Sequence, residues 1–188
     1  MYCLALMQHH GAPTRLLDWS YSPFVAAKFA IEAGGQNAVV WCMSPSWCHS
    51  AVTTIVGEPQ TAARNTDLSR NDISFRPMYG VGSAPRRKFA YVENPLQLNP
   101  RLSVQQGVFL CPGDIGAPFV DNLSAMVGFD AREHVLRLRF KLDATATHDF
   151  ARALRRMNLS SAALFPGLDG FARSLAENLF LYKRLGED

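Results

Sequence analysis

The chain lacks any hydrophobic run long enough to span a bilayer. Its most apolar stretches, such as NAVVWCM at 37–43, fall far short of the roughly 20 residues that a spanning helix needs. No basic stretch followed by an apolar one lies near Met1, so nothing there reads as a secretory signal. Cysteine is sparse, four residues without framework spacing, which excludes a disulfide scaffold and points to a reducing compartment. A cytoplasmic protein with no membrane partner is expected. The phosphate-cradling GxxxxGK[ST], the dinucleotide GxGxxG and the nucleophile elbow GxSxG are all missing. Cys42, Cys48 and His49 fit no zinc-ligand spacing and have no downstream counterpart, so no metal is expected. The net charge is only +3 and the one basic cluster is PRRK at 85–88. That is too small for a nucleic-acid footprint, and nucleic acid is not expected as a partner.

What is present suits one domain with a substantial core: 188 residues, 48% of them hydrophobic. The positive charge is carried by fifteen arginines against four lysines. Arginine grips carboxylates and phosphates bidentately, but a nucleotide bias in the coding sequence gives the same composition. Ser22-Pro23 opens the clearest helix, with Ser22 as N-cap and Pro23 at the first helical position; Gly34-Gly35 closes it. NAVVWCM has strand composition. Residues 44–84 read as long excursions with little regular structure. KFAYVEN and RLSVQQGVFLC read as strands, and EHVLRLRFKL alternates as a half-buried strand from Val135 to Leu142. Asp149–Met157 reads as a helix, LFPGLDG as a turn, and Phe171–Leu185 as a last amphipathic helix. The fold class is α+β, a single domain with a split mixed or antiparallel sheet flanked by helices.

Two polar clusters stand out. Gln8 to Ser20 offers Gln8, His9, His10, Thr14, Arg15, Asp18 and Ser20 just ahead of the Pro23 helix. An Arg15–Asp18 ion pair would make this a scaffold. The helix N-terminus behind it would favour an anion such as a phosphate-bearing ligand. In NPRLSVQQGVF, Arg101, Ser103, Gln105 and Gly107 alternate and would share one strand face, facing either solvent or a ligand.

These stretches resemble a known family. LALMQHHGAPTRLLDWSYSPFVAAKFAIE is similar to the signature of the FRG domain, a bacterial and phage-borne family. NPRLSVQQGVFL and LFPGLDGFARSL resemble its later segments. The family's naming F-R-G motif precedes the Q-H motif, so the chain at 1–188 is expected to be an FRG domain lacking that segment. A partner chain or a homo-oligomer would complete the N-terminal strand. More remotely the arrangement is similar to the ADP-ribosyltransferase fold, whose members cleave the nicotinamide–ribose bond of NAD. The resemblance implies an NAD-processing enzyme, transferase or glycohydrolase, acting as a toxin or in antiviral defence. The alternative is an inactive nucleotide- or protein-binding module, or a fragment completed by a partner. On the enzyme reading Arg15, Ser20 and Gln105 are catalytic, and Gln8, His9, Thr14, Asp18 and Arg101 bind the NAD substrate, with Arg15 or Arg101 on its pyrophosphate. Gln105 is neutral, whereas cleavage builds positive charge at the anomeric carbon that a carboxylate would stabilise.

Overall fold

A serine before a proline starts two helices in this chain, and for one physical reason. The serine hydroxyl takes up an early backbone N–H, while proline supplies a helical φ where its missing donor is not needed. Ser22 accepts from Val25 N at 3.4 Å at the head of one helix. Ser44 accepts from Trp47 N at 3.3 Å at the head of another. A computed structural model describes residues 2–34, 37–57, 78–79, 85–94 and 100–182. In it the helices are α1 (Tyr2–His9), α2 (Pro23–Gly34), α3 (Pro45–Val56), α4 (Pro100–Val104), α5 (Phe119–Ser124), α6 (Ala144–Arg156), α7 (Ser161–Leu164) and α8 (Leu168–Tyr182). The strands are β1 (Leu17–Ser20), β2 (Asn37–Met43), β3 (Ala90–Glu93), β4 (Gly107–Pro112) and β5 (Val135–Lys141). The mixture of helices and small sheets is α+β, with strands ordered β1-β4-β3 in one sheet and β2-β5 in the other.

Two compact units divide the chain, with boundaries at Trp19/Ser20, Val40/Trp41, between Asn94 and Pro100, and at Gly107/Val108 and Leu136/Arg137. The first holds α1, α3, α5 and β3, with most of β1 and β4. Its sheet has β4 in the middle, and β3 runs antiparallel to it with Tyr91 opposite Cys111 and Glu93 opposite Phe109. α3 and α5 pack on β3. Their contact buries Cys48, Val52, Phe89, Leu110 and Leu123 almost completely. Trp47 donates its indole N–H to Val127 O at 2.8 Å and stacks on the His134 ring.

The second unit holds α2, α4, α6, α7 and α8 with most of β2 and β5. Its core gathers Ile31, Ala38 and Leu154, with Phe140, Phe150 and Leu159 packed against them. A charged knot ties three helices of this unit. Lys28 Nζ on α2 lies 2.5 Å from Glu32 and 2.6 Å from Glu177 on α8, and Ser161 at the head of α7 donates its hydroxyl to Glu177. Burial raises the Glu32 carboxyl above its usual range, and the neighbouring Glu177 carboxylate adds to this against the pull of Lys28. Burial pushes Glu177 the same way, but hydrogen bonds from Lys28, Ser161 and Glu32 outweigh it and hold the group down at about 2.

Several sequence expectations need correction. Residues 45–56 of the supposed irregular excursion form α3, signalled by Ser44-Pro45; residues 58–77 and 80–84 lie outside the described residues. Leu17–Ser20, at the end of the polar Gln8–Ser20 cluster, is strand β1. The supposed strand over 101–111 begins as helix α4 and becomes strand only at Gly107, because Gln106 turns the chain with φ +48°. β5 is a strand as expected, but Leu136 and Leu138 are exposed, since only the Phe140 end of its apolar face reaches the core. The expected helix Asp149–Met157 is the latter part of α6 with its Met157 C-cap, and α6 begins at Ala144 behind the Asp143 N-cap. LFPGLDG is a turn only in its middle. α8 already starts at Leu168, and what was expected beyond Tyr182 lies outside the described residues.

Gly170 shows why that segment carries a glycine. A Cβ there would stand 1.8 Å from Phe165 O and 2.8 Å from Phe165 C, so the first turn of α8 closes directly on backbone. Gly170→Ala is therefore expected to cost about 1–3 kcal/mol of stability in urea denaturation. A second measurement checks the charged knot. Because its folded pKa is depressed, Glu177 contributes stability fully above its ordinary value of 4.5, and loses it as pH falls toward about 2. Glu32, raised, acts with the opposite sign: its contribution is present at low pH and fades as pH climbs through its folded pKa. Glu177→Gln is expected to cost about 1–3 kcal/mol at pH 7. Its difference from the native chain should shrink in denaturation curves taken stepwise below pH 4.5.

Candidate functional site

The QHHGAPTR stretch folds as a helix C-cap followed by a braced turn. Gly11, at φ +80°, closes α1: Gly11 N donates to Gln8 O and Ala12 N to Met7 O, both at 2.9 Å. This double closure places glycine where a side chain would be strained, and Pro13 follows where the helix cannot continue. The turn then folds back on Gln8. Thr14 donates its hydroxyl to Gln8 Oε1 and accepts from Leu16 N at 3.1 Å. The Gln8 amide donates to Asp18 Oδ1 at 2.8 Å. Gln8, Thr14 and Asp18 are thus one relay, with Asp18 exposed at its end on β1. His9 and His10 are exposed on the same turn, their rings edge to face with centroids 5.2 Å apart.

Arg15 lies half-buried in the same unit and acts as a clamp. Its Nη2 donates to Pro112 O at 2.9 Å and Gly113 O at 3.0 Å, and its Nη1 to Tyr79 O at 3.3 Å. Its guanidinium carbon stands 5.0 Å from the Tyr79 ring centroid. The Tyr79 hydroxyl in turn donates to Glu93 on β3, a carboxylate only 4% exposed. Tyr79 and Glu93 were not among the residues singled out from sequence. The signal for Glu93 was there, since in KFAYVEN an acid alternates in phase with Phe89 and Tyr91. Tyr79 had no local signal, because it meets Arg15 from 64 residues away.

The second unit contains the remaining sequence candidates. Ser20 donates its hydroxyl to Gln105 O at 2.7 Å and accepts from Ser22 N at 3.0 Å. Gln105 is buried, and its amide donates to Leu164 O at 2.8 Å at the end of α7. Gln106 O accepts from Tyr21 N at 3.0 Å, so the two segments run together for a few residues. Arg101, on α4 rather than on a strand face, lays its guanidinium 4.8 Å from the Phe165 centroid. At the head of α2 the Val25 N–H is taken by Ser22, which leaves that helix start partly satisfied by its own cap.

The structure therefore brings Gln8, Thr14 and Asp18 together in one unit, and Ser20 with Gln105 in the other. His9 stands exposed on the turn beside Gln8. Among the described residues no group of three His, Cys, Asp or Glu side chains could hold a metal, and no helix is long and apolar enough to cross a membrane. The Cys48 thiol donates to Ala90 O at 3.1 Å, and burial pushes it up to about 12, far from a reactive thiolate.

This segment is also where a relationship to known proteins lies. Residues 1–38, which contain the capped turn, β1 and the whole of α2, match the family model of the FRG domain. No curated protein and no solved structure matches the chain.

The clamp role of Arg15 makes a specific demand on its shape. One planar group serves three carbonyls in different directions and lies against a ring, which an ammonium cannot reproduce. Arg15→Lys is expected to lose about 1–3 kcal/mol of stability in urea denaturation, because backbone carbonyls lose their donors.

Proposed function

We propose that the chain is a nucleotide-recognition module of FRG type that binds without turning its ligand over. One observation carries this reading: the side chains placed for catalysis are spent on the main chain. Arg15 serves Tyr79 O, Pro112 O and Gly113 O, Ser20 serves Gln105 O, and Gln105 serves Leu164 O. A group that must move to act on substrate cannot also hold the backbone that positions it. What faces solvent is the Asp18 carboxylate, fixed through one oxygen by Gln8. An ionised carboxylate accepts only, so its remaining lone pairs suit the vicinal hydroxyls of a ribose. The exposed His9 and His10 rings beside Gln8 offer faces for a base.

A second reading, an NAD-consuming effector used as a toxin or in antiviral defence, is favoured by Glu93. It is a buried carboxylate joined to Tyr79, whose ring lies against Arg15, and it is the acid that Gln105 fails to supply. Such an acid would stabilise the charge that develops when the nicotinamide bond breaks.

Incubation with NAD followed by measurement of nicotinamide separates the two. The expected result is no nicotinamide, with calorimetric binding of NAD that Asp18→Asn weakens roughly tenfold. Nicotinamide release that Glu93→Gln abolishes would replace the binding reading with the catalytic one. Neither binding nor release would refute both.

A further inference from the structure

The second unit gathers two arginines on one aromatic ring. Arg101 from α4 and Arg173 from α8 place their guanidinium carbons 4.8 Å and 4.9 Å from the Phe165 centroid, and Phe29 of α2 meets the same ring edge to face. Both guanidiniums therefore lie within roughly 10 Å of each other. Like charges gathered this way are costly unless something answers them. Among the described residues neither arginine forms an ion pair with a carboxylate. The carboxylates one turn from Arg173 are Asp169 and Glu177. Glu177 is committed to Lys28 and Ser161, and Asp169 makes no ion pair among the described residues.

A guanidinium stacked on a ring keeps its N–H edge available in the plane, which is the geometry for gripping a phosphate through two parallel hydrogen bonds. The first turn of α8 adds to this, because Gly170 lets it close on the backbone of Phe165 and so brings a helix N-terminus up to the residue that carries the ring. Leu168, at the start of that helix, is 86% exposed, so the corner is open to solvent.

We infer that Arg101, Arg173 and the Phe165 corner form a binding site for a small phosphorylated ligand carrying at least two negative charges. Two arginines match a diphosphate or phosphomonoester in charge; a nucleic-acid backbone would engage many more. The site shares no residue with the Asp18 relay and does not depend on the ribose-binding reading. The ligand's source is either a nucleotide or a free phosphate.

Calorimetry of the full chain with inorganic pyrophosphate at low salt tests the inference. Binding is expected to be tighter than for inorganic phosphate and to weaken as salt rises. Arg101→Ala or Arg173→Ala should each lower affinity roughly tenfold. Asp18→Asn should leave it unchanged, which keeps this result distinct from the fate of the nucleotide-binding reading. A parallel titration with ADP distinguishes the sources: tighter binding than pyrophosphate identifies a nucleotide, equal binding a bare diphosphate. Pyrophosphate titrated into the unaltered chain should also shift the Phe165 ring resonances in NMR spectra, a readout that needs no variant to fold. Absence of pyrophosphate binding at millimolar concentration, no movement at Phe165, or full affinity in the Arg101→Ala/Arg173→Ala double variant would overturn the proposal.

Discussion

Carbonyl oxygens at the ends of short elements are the constraint on which both units depend. A strand or helix of four to six residues leaves much of its backbone without partners in its own ladder, and a buried carbonyl without a donor is expensive. Here the donors come from side chains distant in sequence. Arg15 reaches Pro112 O and Gly113 O where β4 ends. Arg87 does the same for the longer α3, reaching Ile55 O near its end at 2.9 Å. Gln105 reaches Leu164 O where α7 ends, and Ser20 reaches Gln105 O just past α4. Elements too short to close on themselves are made stable by long-range caps.

That arrangement explains the residue types in the Gln8–Ser20 stretch without invoking chemistry. Gly11 is needed for the left-handed closure of α1, Thr14 to turn the chain back onto Gln8, and arginine at position 15 because three carbonyls in different directions need a forked donor. Serine at position 20 is the smallest hydroxyl that can both donate to Gln105 O and accept from Ser22 N. A segment rich in potential catalytic groups can thus be a segment rich in structural donors. What such a stretch offers a ligand is the remainder after the backbone has been served, here Asp18 and the histidine pair.

The sequence made local features legible and long-range ones opaque. α2 and β2 were readable because their signals are contiguous: a Ser-Pro cap, and an apolar run bounded by turn residues. The same cap at Ser44-Pro45 was obscured by the polar residues around it. Pro100 at the head of α4 carries a comparable start signal, but the alternation of Arg101, Ser103 and Gln105 suggested a strand. Alternation over so few residues fits either period, and the positive φ at Gln106 that ends the helix has no glycine to announce it. The clamp on Tyr79 and the Tyr79–Glu93 bond join segments far apart in the chain, so no spacing rule could have found them.

The same logic separates the two arginine environments. Arg15 is held by carbonyls, groups that must be satisfied whether or not a ligand exists, so its position needs no function to explain it. Arg101 and Arg173 converge on Phe165 with no carbonyl or carboxylate among the described residues to account for them, and folding alone gains little from placing two cations together. Stacking on an aromatic face offsets part of that repulsion, on the order of 0.5–1 kcal/mol for each exposed pair. That is enough to hold the guanidiniums in place without consuming their hydrogen-bonding edges. An arginine committed to backbone carbonyls is a structural element, and one held over an aromatic ring with its hydrogen-bonding edge available is suited to an anion.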